Sequence, residues 1–399
     1  MPATSRERRN VAILAANQAL FLITAITVMT LSGLVGQRLT PEPALATLPV
    51  AMMMVGVVVA SLPASLLMKR VGRRAGFIVG TLVGGVAGGA LSVLAIDLGS
   101  FALFCAGSLL LGVYQAFANL HRFAAADAAS PAFASKAISL VLAGGVAAAF
   151  LGPLNASRAT ELLPGIVDAG PYAVIVALSL LGGVLHLGLR MPDERQARTG
   201  VQRPVATIAR QPAFAVAVLA GTVGYAAMIL VMTATPLAMR EAGFDLADAA
   251  TIMQWHVLGM FLPSFVTGHL IARFGLARIL QSGATILVGS VAAGVAGQRM
   301  GHFWVALVLL GVGWNFLYVG GSALLARTHR PAERGKIQGL NELIVFTAVA
   351  IGSLAAGALL HTVGWATLNL LLLPFIATTA LVTHRWQRGT ERRSVATVG

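Results

Sequence analysis

Charge is what this sequence has least of. Only 11% of its 399 residues are Asp, Glu, Lys or Arg, against about 25% in a typical soluble protein. A chain of this length could not cover its own surface in water with so few charges, which excludes a single ordinary soluble domain. The hydrophobic share of 57% excludes a disordered protein. Cysteine is almost absent. Cys105 stands alone, so there is neither an internal disulfide nor a multi-cysteine metal site. Acids are scarcer than bases, 14 against 28, and the net charge is +14. On a soluble protein such basicity points to nucleic acid. The placement of the charges decides whether it does here.

Charge-free runs occupy 11–37, 43–68, 75–96, 98–121, 137–157, 169–189, 211–239, 249–272, 279–298, 300–326 and 343–384. A helix of about 20 residues crosses a hydrocarbon layer. Each of the first ten runs fits one crossing. The last is long enough for two, with a turn at Gly364-Trp365. The sequence therefore predicts an all-α membrane protein of twelve helices, at roughly 11–35, 44–68, 75–96, 101–125, 137–157, 169–190, 213–238, 248–271, 278–298, 302–326, 336–361 and 365–385. A transmembrane barrel is excluded, because its strands alternate polar and apolar over about ten residues. The first run follows Arg6, Arg8 and Arg9 but is too long for a signal-peptide core.

With the N-terminus placed in the cytoplasm, 24 of the 28 Lys and Arg fall on the cytoplasmic side. Only Arg38, Arg158, Arg240 and Arg299 fall on the other. Basic loops resist translocation, so both termini are expected to be cytoplasmic, in a bacterial inner membrane. Anionic lipid headgroups then account for the basic charge, and no nucleic-acid partner is needed.

The longest polar loop, 191–212, divides the chain into an N-terminal six-helix bundle (1–190) and a C-terminal one (213–399). The halves resemble each other at a lag near 200. Val11-Ala-Ile-Leu-Ala15 returns as Val216-Ala-Val-Leu-Ala220, and Leu110-Leu-Gly-Val113 as Leu309-Leu-Gly-Val312. Pro131-Ala132 with Lys136 and Leu140 returns as Pro331-Ala332 with Lys336 and Leu340. Parallel repeats of six helices with a site near the midplane are a secondary-transporter architecture.

At these residues the sequence resembles the major facilitator superfamily along its whole length. The loop after helix 2 is similar to that family's Gly-x-x-x-Asp-Arg-x-Gly-Arg-Arg signature. Arg70, Gly72, Arg73 and Arg74 match it, while Ser65 stands at the first glycine and Lys69 at the acid. The second half has Gly268, Arg273 and Gly275, with Ala272 at the acidic position. The resemblance implies a latch at the cytoplasmic helix ends. Loss of both acids puts the charged form of that latch in question. Helix 5 carries Gly152-Pro153, part of a Gly-Pro pattern of antiporters in the family. Close helix packing explains it more economically than export. The arginine that many drug-exporting relatives carry in helix 4 is replaced by Ser108.

Polar groups inside a bilayer are costly, so each asks for a reason. The candidates for a substrate cavity are Asn17, Phe21 and Thr24 on one face of helix 1, Tyr114 and Gln115 on helix 4, Tyr225 on helix 7, Trp255 and His256 on helix 8, and Trp314, Asn315 and Tyr318 on helix 10. The resemblance supports helices 1, 4, 7 and 10 as cavity walls. For the amides and His256, helix-to-helix bonding is the competing role. Glu342 is the one carboxylate well inside a predicted span. It needs either a proton or a cation such as Arg122, Lys136 or Lys336. Glu342 and His256 are the candidates for proton coupling. Asn119, His121, Arg122 and Asp127 form a further polar group near the end of helix 4.

The resemblance implies a monomeric secondary transporter that moves a small organic solute by alternating access, with no cofactor and no bound metal. Aromatics and neutral amides suit a neutral, planar or weakly charged solute. Export of a drug or metabolite leads. Import of an aromatic vitamin, a flavin for example, is the alternative. A membrane enzyme or receptor stands behind both, because no hydrolase, P-loop or zinc pattern occurs. Tags fused to both termini should be reached from the cytoplasmic side only, and a periplasmic tag contradicts the charge reading.

Overall fold

The computed structural model describes residues 4–40, 42, 45, 48–191 and 201–396. Positions 192–200 of the expected linker, with Pro192, Arg195 and Arg198, lie outside the described residues, as does position 44, where the second helix is expected to start.

Among the described residues, ten helices long and apolar enough to cross a membrane follow one another. They are α1 (Ser5–Leu39), α2 (Leu48–Val71), α3 (Arg73–Asp97), α4 (Phe101–Asp127), α5 (Ala134–Arg158), α6 (Gly170–Leu187), α7 (Pro212–Glu241), α8 (Asp248–Phe274), α9 (Leu276–Ala296) and α10 (Met300–Leu325). An eleventh span, Pro331–Gly389, is 59 residues long. Its helix breaks at Gly364, where φ is 75° and ψ 170°. The two arms are α11 (334–363) and α12 (365–396), as the sequence predicts. In lipid every backbone amide must be bonded within its own segment, and continuous helices achieve this.

Local chemistry sets the ends. Thr4 and Glu7 form a reciprocal cap at the start of α1, with Glu7 N donating to Thr4 Oγ1 at 3.2 Å and Thr4 N to Glu7 Oε2 at 2.6 Å. Gly72 separates α2 from α3 at φ 93°, and Gly275 separates α8 from α9 at φ 86°. A side chain resists that conformation. The repeat in the sequence is thus a repeat in backbone geometry.

The chain packs as two compact units. The first comprises Met1–Ser130, Gly144–Gln202 and Arg330–Phe346. The second comprises Pro131–Ala143, Arg203–His329 and Thr347–Gly399. The units depart from the sequence halves at two matching places: the start of α5 belongs with the second, and the start of α11 with the first. One segment begins at the repeated Pro-Ala and the other one residue before it.

Within the first unit, a Cβ on Gly112 of α4 would strike Met53 O and crowd Val57 N of α2. Within the second, a Cβ on Gly311 of α10 would lie 2.6 Å from His256 O and 2.7 Å from Met260 N of α8. These are the glycines of the repeated Leu-Leu-Gly-Val. In each unit they let two backbones touch, which is how helices associate where no hydrophobic force separates helix from lipid. The core of the first unit gathers Val28, Leu31, Met53, Phe104, Leu111 and Tyr172. Large apolar side chains are left outside, among them Val59, Val184, Leu354 and Leu381. Such a surface suits hydrocarbon rather than water.

Gly112→Leu should destabilise the purified protein by about 3 kcal/mol. Gly33→Ala, where nothing lies within 4 Å of the added carbon, should be neutral or stabilising by up to about 1 kcal/mol. Thermal unfolding in detergent measures both, and equal effects contradict the close approach of α2 and α4.

Candidate functional site

Three rings of the second unit form a stack. Trp314 and Tyr318 are one turn apart on α10, with centroids 4.9 Å apart and planes 23° apart. Tyr225 of α7 lies 5.1 Å from Tyr318 and 5.5 Å from Trp314. Phe261 of α8 meets Trp314 edge-on at 5.6 Å. Tyr225 is half-buried, whereas Trp314 and Tyr318 are buried. The indole Nε1 of Trp314 has no acceptor among the described residues. An unmatched buried donor costs about 1–3 kcal/mol, so this nitrogen is suited to an incoming acceptor.

Three expected cavity residues do not join the stack. Asn315 is spent on joining α10 to α8. Its Nδ2 donates to Met260 O at 2.7 Å and Ser264 Oγ at 2.5 Å, and its Oδ1 accepts from Thr267 Oγ1 at 2.7 Å. His256 is wholly buried, and its Nδ1 donates to Leu307 O at 2.8 Å. Its Nε2 has no partner among the described residues. Trp255 is 47% exposed and meets Trp304 edge-on at 5.7 Å.

In the first unit Asn17, Phe21 and Thr24 do share a face of α1, and all three are buried. Asn17 Nδ2 and Thr24 Oγ1 donate to their own helix, at Ile13 O and Leu20 O. Asn17 Oδ1 abuts Gly182 of α6. Phe21 meets Tyr114 edge-on at 5.4 Å. Tyr114 lies against Gly84 and Gly85 of α3. This face packs helices together. Gln115 is 8% exposed, and its Oε1 has no partner among the described residues.

Glu342 is fully buried and pairs with Arg122 at 2.6 Å, itself 2% exposed. Of the three cations that could answer it, the structure selects Arg122. Asn341 Nδ2 donates to the same carboxylate oxygen at 2.8 Å, and Arg122 Nη1 donates to Asn119 O at 2.6 Å. The second oxygen, Oε2, has no partner among the described residues.

The signature loop does have an acid, drawn from elsewhere in the chain. Arg73 is buried and pairs with Asp127, the last residue of α4, at 2.7 Å. Arg73 also donates to Gln338 of α11, and Arg334 reaches Asp127 at 3.5 Å. Arg70, Arg74 and Arg273 are exposed. A cavity of about 500 Å³ in the first unit opens beside Gly72, Arg73, Arg74 and Arg190. The missing first glycine has a reason too. Ser65 of α2 faces Gly339 of α11, whose added Cβ would lie 3.0 Å from that of Ser65. In the second unit the small residue changes sides: Gly268 of α8 faces Ser139 of α5, at the same 3.0 Å. Ser139 Oγ accepts from Gly268 N at 3.0 Å and donates to Ser264 O. Gly152 of the Gly152-Pro153 pair packs on Ile26 and accepts from Thr27 Oγ1 at 3.2 Å, a packing contact with α1.

Sequence reasoning overlooked His186 and Gln18. Both are buried and join His121. A histidine near the end of each of two apolar spans was the available signal.

A multi-helix membrane chain with a buried ion pair, an aromatic stack and repeated halves defines a solute carrier. The Major Facilitator Superfamily model matches residues 13–254 and again 217–398. The chain belongs to that superfamily. It is a multi-pass membrane transporter and not an enzyme. It is 42% identical over 380 residues to "Riboflavin transporter RfnT" of Brucella anthropi, covering 94% of this chain and 95% of that protein. It is 29% identical to the uncharacterized MFS-type transporter YdeG of Bacillus subtilis, over 90% of this chain and 87% of that one. Among solved structures it resembles the transporter FucP, with a TM-score of 0.74 at 17% identity over 94% of this chain and 98% of that one. It also resembles the human organic anion transporter MFSD10, with 0.77 at 16% over 95% and 100%. At such identities these structures speak for the fold alone.

Asn315→Ala should cost about 1–3 kcal/mol of stability, since it removes the α8–α10 bonds. Trp255→Ala should cost less than about 0.5 kcal/mol. Unfolding of the two purified variants checks this, and the reverse order contradicts the placement.

Proposed function

We propose that this chain carries riboflavin or a closely similar flavin into the cell, driven by the proton gradient. The observation that carries the reading is the 42% identity, along nearly the full length of both chains, to a protein named as a riboflavin transporter. Of the two directions left open by the sequence, a vitamin as cargo favours uptake over export. The residue chemistry agrees. An isoalloxazine ring is flat, neutral and edged with acceptors. Tyr225, Trp314 and Tyr318 offer a stacking surface. The unmatched Nε1 of Trp314 in the same unit offers a donor to those acceptors.

Two buried groups have an open position for a proton, Glu342 Oε2 and His256 Nε2. A proton on Glu342 discharges its pair with Arg122 and loosens Arg330–Phe346 from α4. With both termini in the cytoplasm, the release occurs on the cytoplasmic side, where cargo must leave. His256 is the second carrier in this reading.

Proteoliposomes with an imposed inward proton gradient should accumulate radiolabelled riboflavin, and a protonophore should abolish the accumulation. Trp314→Ala should raise KM about tenfold, the equivalent of one stacking contact of ~1.4 kcal/mol. Glu342→Gln should lose gradient-driven accumulation while keeping exchange of internal for external riboflavin. If Glu342→Gln and His256→Ala both accumulate at the parental level, the coupling assignment fails. If no flavin moves under any gradient, the cargo assignment fails.

A further inference from the structure

The first unit holds a second buried polar cluster that the transport reading leaves unused. His121 of α4 and His186 of α6 approach through their Nε2 atoms at 3.2 Å. They are 1% and 0% exposed. Two ring nitrogens at that distance need a proton between them, since two lone pairs would repel. Gln18 of α1 fixes which ring supplies it. Its Oε1 accepts from His121 Nδ1 at 3.0 Å. His121 therefore carries its proton on Nδ1, and its Nε2 accepts from the Nε2–H of His186. That leaves His186 Nδ1 bare, and it has no partner among the described residues. Phe77 of α3 packs on both rings, at 4.6 Å from His121 and 5.2 Å from His186. An aromatic face accommodates an imidazolium as well as an imidazole.

The surrounding charges are fixed by each neighbouring helix. From α3 comes Arg73, one turn before Phe77 and so on the same side of the helix as the ring that packs on both histidines. From α1 comes Arg9, bonded at 3.0 Å to Gly188 O just beyond His186. From α4 come Arg122, already neutralised by Glu342, and Asp127, the acid that holds Arg73. Arg190 follows His186 by one turn. Arg73 is the link outward, because the same guanidinium nitrogen donates to Asp127 and to Gln338 at the start of α11.

We infer that His121, His186 and Gln18 form a proton-binding site whose second proton enters at His186 Nδ1 and competes with the seating of Arg73 on Asp127 and Gln338. An imidazolium at this position repels the guanidinium. Acid therefore weakens the contact between α3 and the first turns of α11, and release of that contact favours the proton by the same factor. The inference goes beyond the transport reading and does not depend on the cargo or on Glu342.

Magic-angle-spinning NMR of the full chain, labelled with 15N-histidine and reconstituted in lipid bilayers, tests it. The free proton is the probe. Wild type should show a nitrogen–nitrogen coupling across the His186-to-His121 hydrogen bond, and a second proton taken up as pH falls. His121→Gln and His186→Gln should each abolish the coupling. Arg73→Gln should bind the second proton at least threefold more tightly, and Asp127→Asn at least threefold more weakly. Glu342→Gln bares the charge of Arg122 beside His121 and should weaken the second proton's binding while leaving the nitrogen–nitrogen coupling intact, which separates this site from the coupling carboxylate. Absence of the coupling in wild type overturns the shared proton. An affinity indifferent to both Arg73→Gln and Asp127→Asn overturns the competition.

Discussion

A carboxylate and a guanidinium buried together in a nearly charge-free interior determine how the first unit is assembled. Among the described residues Glu342 has one cation partner, Arg122, and neither can be exposed to hydrocarbon without the other. The start of α11 is therefore held against α4 rather than with the rest of its own half. Arg73, Asp127, Arg334 and Gln338 continue the same contact outward. The matching segment in the second unit is held differently. Ser139 bonds Ser264 and Gly268 there, and no charge takes part in those bonds. The duplicated architecture thus carries one contact that a proton can discharge and one that it cannot. In the proposed function this asymmetry is what lets a proton gradient bias one step of the cycle.

Close backbone packing makes this arrangement possible. The glycines of Leu-Leu-Gly-Val bring α4 onto α2 and α10 onto α8. The exchanged segments seat on their units through Ser65 with Gly339 and Gly268 with Ser139. One small residue per contact suffices, and either partner can supply it. The departure of Ser65 from the family signature is therefore compensated rather than lost. The missing acid is compensated likewise, by Asp127 from the end of α4.

The fold was legible because lipid imposes a one-dimensional rule. A charge-free run of sufficient length is a crossing, and the Gly364 break divides the last run as its length requires. The family signature, present in both halves, marked Gly72 and Gly275, and the structure turns at both. The roles of polar residues were less legible, because sequence gives the residue and not the direction it faces. Asn315 and Tyr318 lie three positions apart on α10, yet one bonds α8 and the other stacks on Tyr225. Trp255 and His256 are neighbours with opposite surroundings. The choice of Arg122 over Lys136 and Lys336 for Glu342 depends on a contact across 220 positions, beyond the reach of local pattern. The histidine pair spans 65 positions and was hidden for the same reason.

The energetic coupling between Arg122 and Glu342 is the most direct measure of whether this pair organises the first unit. A double-mutant cycle with Arg122→Met and Glu342→Leu, followed by unfolding of purified protein, reads it. Each single change should cost about 3–5 kcal/mol by stranding the other charge, and the double change should cost less than either. Additive losses would show that the two groups act independently and would contradict the pairing as the basis of the structure.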